Sequence, residues 1–430
     1  MTFEVYTLGC KVNSYESEAV KLLLLDRGHR VDGEHPDLAV INTCSVTSMS
    51  EKKSRQLIRR LAHDHPGIII ALMGCYAQIA ESTLQDLPNV GVIVGTSNRH
   101  LIPDLIDRYL ATKTLQTALE MEPLAFAYEE MKVTTYTDRT RAYVKIQDGC
   151  DNFCAYCIIP YARGRLRSRH RDDVVAEIKH LTETGYLEIV LTGIHTAGYG
   201  RDLADYSFDD LLLDIFKACP DLHRLRISSI EASEISERFL TLLAEEPRLA
   251  RHLHIPLQSG SDAVLAKMNR HYRTFDFVKT ISSIQEILPD IALTTDIIVG
   301  FPGETDEDFE TTYALAQSLG FSKIHVFPYS PRAGTAAAKM ENQVHDETKK
   351  KRVLRLLELS SELERAYAEK WTGRTLEVIV EEYNSLARAY EGHSSNYLKV
   401  LIGGPALQKG DLVNVSYYPE PELSPQITND

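Results

Sequence analysis

A chain of 430 residues exceeds one ordinary domain, and 43% hydrophobic with 25% charged residues supplies material for two or three packed cores. Its formal charge of −14 argues against a surface that binds nucleic acid all over, while leaving room for a local basic patch. The longest apolar runs, such as Gly67 to Gly74, are too short to span a bilayer, and Met1-Thr2-Phe3-Glu4 lacks the features of a secretion signal. A cytoplasmic protein that contacts no membrane is expected, and there seven cysteines point to metal or redox chemistry rather than disulfides.

Phe3 to Leu8 reads as a strand, followed by a helical pattern from Tyr15 to Asp26 that Gly28 closes; Asn13, with Glu16 three positions on, suits its start. Leu38 to Thr43, Ile68 to Met73 and Val90 to Val94 read as further strands, with a polar helix from Met49 to Ala62. This βαβα rhythm predicts a parallel sheet with helices on both faces over residues 1–125. Polar Met121 to Thr137, carrying Pro123, reads as a linker. Six strand candidates follow: Ala142 to Ile146, Leu187 to Leu191, Leu225 to Ser229, Leu253 to Leu257, Ala292 to Val299 and Ile324 to Pro328. Helical patterns lie between them at Val174 to Leu181, Leu211 to Ala218 and Phe309 to Ser318. Over residues 138–370 they predict an open, partial (β/α)6 barrel, with reacting groups at the C-terminal ends of the strands. After a helix from about Asp346 to Trp371, short β-prone runs at Leu376 to Glu381, Ala387 to Tyr390, Tyr397 to Leu401 and Leu412 to Tyr417 predict a small OB-like β barrel over 371–430.

Two cysteine constellations carry the chemistry. Cys150, Cys154 and Cys157 form a C-x3-C-x2-C loop just after the first barrel strand. Three thiolates on such a loop can bind three irons of a [4Fe–4S] cube and leave the fourth open, as a catalytic centre requires. A zinc site that borrows a fourth ligand is the alternative, at an unusual spacing for zinc. Cys10, Cys44 and Cys75 each directly follow a predicted strand, about one βα unit apart. In a parallel sheet those strand ends open on one edge, where such folds bind ligands. The alternative is three independent core cysteines, although a core cysteine more often lies within a strand. Cys219 reads as structural.

Thr7-Leu-Gly-Cys10-Lys-Val-Asn-Ser14, Asn42-Thr-Cys44-Ser-Val-Thr47 and Met73-Gly-Cys75-Tyr-Ala-Gln78 resemble the N-terminal domain of the radical-SAM methylthiotransferases. Gly149 to Pro160 resembles their radical-SAM loop, and His254 to Ser261 and Asp296 to Thr305 are similar to segments of the same barrel. The terminal β module resembles their TRAM domain. The resemblance implies two [4Fe–4S] clusters and S-adenosyl-L-methionine, chelated by the open iron of the Cys150/Cys154/Cys157 cluster and cleaved to a 5′-deoxyadenosyl radical. The Cys10/Cys44/Cys75 cluster would carry or donate the sulfur that is methylated and joined to C2 of an adenine. Two S-adenosylmethionine molecules are then used per turnover. Lys11-Val-Asn-Ser14 resembles the branch acting on N6-threonylcarbamoyladenosine, the tRNA base just 3′ of the anticodon. The other branches act on isopentenyladenosine in tRNA or on a ribosomal-protein aspartate. A non-catalytic iron–sulfur protein that binds RNA is the reading from another class. The implied partners are the anticodon loop of tRNA and a low-potential electron donor, and a monomer is expected.

Other strand-end residues are candidates for the S-adenosylmethionine pocket: Thr192 and Gly193, Ser229 and Glu231, Gln258, and Asp296 inside the fifth strand. For each, a capping or turn role is the competing reading. Arg163, Arg165, Arg167, Arg169 and Arg171 alternate just after the cysteine loop; in extended backbone they would line one side, suited to phosphate. A solvated charged face is the ordinary reading of such a run, and its place beside the radical site favours RNA contact. Lys52, Lys53, Arg55, Arg59 and Arg60 form a second basic stretch near Cys44. In the β module, Tyr390 and Tyr397 are candidates to stack bases, in a segment that carries more acidic than basic residues.

Overall fold

The computed structural model describes residues 1–120, 127–136, 139–404 and 406–427. Pro123 and the expected boundaries at 125 and 138 lie outside the described residues.

The first sheet is parallel throughout and contains the four expected strands, Thr2–Thr7, Leu38–Thr43, Ile69–Gly74 and Val90–Val94, side by side in that order. Two short edge strands, Arg30–Val31 and Gln116–Ala118, flank them. At two and three residues these are below the length at which alternation registers in a sequence. Every residue of Leu38–Thr43 and Ile69–Gly74 is buried, because alternate side chains feed two separate cores. Val40, Ala71 and Met73 pack against Ile102 and Ile106; Ile41, Ile70 and Leu72 pack against Ile58 and Leu61.

The first helix, Lys11–Asp26, begins four residues before the expected Tyr15. Cys10, in extended backbone, is its N-cap, so Asn13 and Glu16 lie within the first turns rather than forming the start. Both are buried. The next helix, Ser48–Asp64, starts at Thr47, whose hydroxyl accepts from the Ser50 N–H at 3.1 Å.

Six parallel strands make the partial barrel in two runs. One is Arg224–Ile227, Glu188–Thr192 and Arg141–Lys145; the other is His252–His254, Ala292–Val299 and Lys323–Pro328. Isolated backbone bonds join the runs, from Leu225 to Arg248 at 2.8 Å and from Ile230 to His254 at 3.0 Å. Outward-facing Ile189, Leu191, Leu225, Ile227, Leu253 and Ile297 form one core with the surrounding helices. The Lys11–Asp26 helix packs against Arg141–Lys145, where the Tyr15 hydroxyl lies 2.5 Å from Met131 O and 3.1 Å from Glu177. The described part of the expected linker is therefore packed structure: Met131, Val133 and Tyr136 are buried in the barrel core. Its polar composition hid three well-spaced core positions.

A nearly closed barrel of five strands follows, Thr375–Asn384, Ala389–Ser394, Lys399–Gly403, Leu412–Ser416 and the unanticipated two-residue Ser424–Pro425. It is tied to the first barrel run through a buried knot of charge. Glu188 accepts from Arg226 at 2.7 Å and Arg224 at 3.1 Å. Arg226 donates onward to the carbonyls of Ser394 at 3.2 Å and Ser395 at 3.1 Å. Tyr397 does not present a free face to a base. Its ring stacks on His252 at 4.7 Å, with the Arg226 guanidinium 4.7 Å from its centroid. It plugs the N-terminal mouth of the barrel, whereas Tyr390 lies edge-on to the exposed Tyr383.

Glu188→Ala leaves two buried guanidiniums without their shared carboxylate and is expected to cost about 3 to 5 kcal/mol of stability. Urea unfolding followed by fluorescence of the single tryptophan, Trp371, checks this, since that residue lies at the base of the terminal barrel.

Candidate active site

Cys10, Cys44 and Cys75 follow three neighbouring strands and meet at one sheet edge. The approach is close. A Cβ on Gly9 would stand 2.9 Å from Cys44 Cβ and 3.0 Å from its Sγ, and Gly9 has φ +112°, so only glycine brings Cys10 alongside. Cys10 is exposed; Cys44 and Cys75 are buried. Burial raises the Cys44 thiol and pushes Cys75 up to about 12, with neighbouring Cys44 and Cys10 adding to the Cys75 shift. Against this, Arg163 Nε donates to Cys75 Sγ at 3.1 Å and favours its thiolate.

The second thiol set sits on a loop after Gln147–Asp148, anchored by its backbone. The Ala155 N–H donates to Met268 O and the Ala337 N–H to Ala155 O, both at 2.8 Å. Asn269 Nδ2 donates to the carbonyls of Asn152 at 3.3 Å and Phe153 at 3.1 Å. At Gly149, φ +70°, a Cβ would fall 1.9 Å from Arg165 O, so no larger residue fits. The Asn152 N–H points at Cys150 Sγ at 3.5 Å, and Arg270 at Cys154 Sγ at 3.4 Å. Burial raises Cys154 and raises Cys157 further; the latter also feels Cys154, Cys150 and Cys75. The two thiol sets are thus within electrostatic reach of each other. Among the described residues no three His, Cys, Asp or Glu side chains stand as they would round a single metal ion. Three thiol donors per set suit an iron–sulfur cube, in which each thiolate takes a different iron.

A cavity of about 110 Å³ adjoins Cys154, lined by Asn152, His195, Glu231, Glu234, Arg270 and Tyr272 among others. Of the expected pocket residues, only Glu231 lines it, and it is ion-paired with Arg270. Thr192 and Gly193 lie beside the cysteine loop: Thr192 O accepts from Ile146, and a Cβ on Gly193 would meet Gln147 Oε1 at 2.9 Å. Gln258, at φ +64°, donates its N–H to Asp296 O at 2.8 Å, and the Asp296 carboxylate lies 3.4 Å from His254 Nε2. Ser229 is half-buried at the end of its strand. His195, Glu234 and Arg270 had not been singled out. Burial opposes charge on His195, but nearby Cys150 and the Glu234 carboxylate, 2.7 Å away, hold it up to about 10. Its position three residues past the end of a barrel strand was the available signal; Arg270 offered none.

The arginine series does not form an extended stripe. Arg163 ends the short helix Ile159–Arg163, Arg167 lies in the two-residue strand Arg167–Ser168, and Arg171 begins a helix. Arg163, Arg167 and Arg169 are buried, while Arg165 and Arg171 remain exposed. Arg169 pairs with Glu177 at 2.7 Å and with Glu130. Arg167 bonds Arg163 O at 2.5 Å and lies 3.3 Å from Asp148. Arg163 bonds Glu16 at 2.8 Å, Asp148 at 3.1 Å and Asn13 at 3.0 Å, besides Cys75. Carboxylates far away in sequence claimed these guanidiniums, which an extended-strand reading cannot foresee.

The barrel lumen is the other departure from simple expectation. Barrels of this kind fill their interior with branched apolar side chains. Here the inward residues include Glu188, Arg226, His252, His254, Thr294 and Asp296, most of them buried, while their strand neighbours Leu225, Leu253 and Ile297 face the helices. Burial and the charges of Arg226, His254, Lys11 and His325 hold His252 well below its usual range, so it is neutral. Charged residues alternating with apolar ones, as in Arg-Leu-Arg-Ile and His-Leu-His-Ile, were the sequence signal for this chamber.

Residues 2–95 match a family model described as Uncharacterized protein family UPF0004, and residues 144–316 match the Radical SAM superfamily. The chain is 44% identical, over 96% of its length and 93% of the relative's, to the threonylcarbamoyladenosine tRNA methylthiotransferase MtaB of Bacillus subtilis. It is 37% identical to MtaB of Thermotoga maritima over 93% of this chain and 90% of that one. With the tRNA-2-methylthio-N(6)-dimethylallyladenosine synthase of Acetivibrio thermocellus it shares 35% identity over 95% and 87% of the two chains. The solved structure of the radical S-adenosylmethionine methyltransferase TsrM from Kitasatospora setae is similar with a TM-score of 0.57, at 14% identity, over 78% of this chain and 77% of that one. That is a likeness of fold.

Glu16 ties the site to both halves of the molecule, meeting Arg163 and Lys145 at 2.8 Å and Arg99 at 2.9 Å. Although burial opposes its charge, these three cations lower it from 4.5 to about 2. A carboxyl depressed in the folded state stabilises above its unfolded pKa, and that contribution fades as pH falls through the folded value. The protein is therefore expected to lose stability as pH drops from about 4.5 towards about 2. Glu16→Gln is expected to be less stable by about 3 kcal/mol above that window and to show a shallower fall within it, both read from thermal midpoints across the acid range.

Proposed function

Because this chain belongs to the radical-SAM methylthiotransferase family, we propose that it converts N6-threonylcarbamoyladenosine, just 3′ of the anticodon of tRNA, to its 2-methylthio derivative. The observation that carries the reading is the link between two three-thiol sets, since Arg163, on the short helix that directly follows the Cys150–Cys157 loop, donates to Cys75 of the other set. The relatives named for threonylcarbamoyladenosine, at 44% and 37% identity, support this substrate. Dimethylallyladenosine is the second reading, favoured by the relative at 35%.

Cys150, Cys154 and Cys157 would hold the [4Fe–4S] cluster of the radical-SAM centre, and Cys10, Cys44 and Cys75 an auxiliary one. When bound, cluster and S-adenosylmethionine supply the radical chemistry that an unactivated C2–H bond demands and acid–base groups cannot provide. The chain's own residues do the positioning. Arg270 donates to Cys154 and is itself held by Glu231; His195 stands beside Cys150 and pairs with Glu234; Arg163 donates to Cys75 and is held by Glu16 and Asp148. The cavity beside Cys154 is the place for part of S-adenosylmethionine, with Thr192, Gly193, Ser229 and Gln258 at or just past strand ends and Asp296 within its strand as further candidates. Lys52, Lys53, Arg59 and Arg60, exposed on the helix that follows Cys44, offer phosphate contacts with Arg165 and Arg171. The terminal barrel takes the role of a TRAM module. No described helix is long and apolar enough to cross a membrane, and the enzyme is proposed to act in the cytoplasm as a monomer fed by a low-potential electron donor.

Anaerobic reconstitution with iron and sulfide, followed by dithionite and S-adenosylmethionine, tests the assignment. Cys150→Ala is expected to abolish 5′-deoxyadenosine formation, whereas Cys75→Ala is expected to lose auxiliary iron and the methylthio product while still cleaving S-adenosylmethionine. Nucleoside analysis of tRNA from a deletion strain decides the substrate: unchanged methylthio-threonylcarbamoyladenosine rejects it. The triple variant Lys53→Ala, Arg59→Ala, Arg60→Ala is expected to weaken tRNA binding and to flatten the log–log salt dependence by about 2 to 3, if each cation meets a phosphate.

A further inference from the structure

Lys11 is the first residue of its helix, directly after Cys10, on a helix that packs against the barrel strand Arg141–Lys145, and the charged groups that act on it are Tyr397, Arg226, Arg141 and Glu188 of the polar chamber. The other cations there are already matched. Arg226 and Arg224 share Glu188 at 2.7 and 3.1 Å, Arg224 also meets Glu377 at 3.1 Å, and Arg141 meets Glu381 at 3.2 Å. Among the described residues the Lys11 ammonium makes neither a hydrogen bond nor an ion pair. A half-buried cation with no anion in direct contact, beside a Glu188 already shared by two arginines, favours a negatively charged occupant. The surroundings report the same field: burial opposes ionisation of the Tyr397 phenol, yet Arg141, Lys11 and Arg226 lower it.

We propose that Lys11 binds the carboxylate of the threonyl group on N6 of the substrate adenine and thereby selects that base. The inference rests on the threonylcarbamoyl reading above and sharpens it. The threonylcarbamoyl substituent carries a carboxylate; a dimethylallyl substituent is wholly apolar and would leave Lys11 unpaired beside Arg226 and Arg141. Place matters as much as charge. Lys11 adjoins a thiol of the auxiliary set, and its flexible stem carries the ammonium away from that sulfur into the lumen. The hydroxyl of Thr294, bonded to His252 Nε2 at 3.1 Å and His254 Nδ1 at 2.9 Å, gives the same chamber a polar wall for the rest of the substituent.

The test uses reconstituted full-length enzyme and three anticodon stem-loop RNAs, carrying threonylcarbamoyladenosine, its neutral methyl ester, or dimethylallyladenosine. The wild type is expected to favour the free acid over the ester by about tenfold to a hundredfold in KM, the range for a hydrogen bond to a charged group. Lys11→Met is expected to lose that preference and Lys11→Arg to restore most of it, with iron content confirming that each variant is loaded. Threonylcarbamoyl RNA modified by the wild type with no preference for acid over ester, or a Lys11→Met enzyme that keeps the preference, overturns the inference and leaves the substrate reading intact. Modification of the dimethylallyl RNA alone overturns the substrate reading itself.

Discussion

Two buried carboxylates, Glu16 and Asp148, hold the two halves of this molecule in register. Glu16 comes from the first helix of the N-terminal sheet domain, and Asp148 from the edge of the barrel just before the cysteine loop. Between them lie Arg99, Lys145 and Arg163, cations contributed by both halves. Such a network is worth little as net stability, because desolvating five charges consumes most of the attraction. Its value is positional, since a buried network with this many shared hydrogen bonds tolerates few geometries. Arg163 converts that geometry into chemistry, for the guanidinium fixed by both carboxylates also reaches Cys75. The orientation of one thiol set relative to the other follows from this knot.

The barrel applies the same economy to its strands. Side chains that face the helices are apolar and build one continuous core, while those that face inward carry charge and imidazole. A lumen lined this way is a chamber rather than a core, and it needs a floor. Tyr397 of the terminal barrel supplies one, stacked on His252 and flanked by Arg226. The terminal module therefore closes the polar chamber from below. Glu188 is the hinge of that arrangement, since it neutralises the two arginines that reach the terminal module.

The four long strands of the first sheet and the six of the barrel were readable because each buries enough consecutive apolar residues to leave a pattern. The six cysteines were readable for the same reason, being placed just past those patterns. Edge strands of two or three residues left no periodicity. Asn13 and Glu16 looked like a helix start and proved to be the buried face of a helix that Cys10 begins, because Gly9 turns the chain tightly beside Cys44. The arginine series was misread for a different reason. Alternation along a chain predicts a common side only if the backbone is extended, and here two short helices and a two-residue strand interrupt it.

The sequence by itself determined the architecture, the two sets of three thiols and the family to which they belong, because periodicity and spacing are local properties of a chain. Only the tertiary structure decided which charges are spent internally and which remain free. Arg163, Arg167 and Arg169 met carboxylates outside their own run, His195 and Arg270 came to the sulfurs from other loops, and Lys11 was left without a direct ion pair. Ion pairing depends on distance in space and on exclusion of water, and neither is written along the chain.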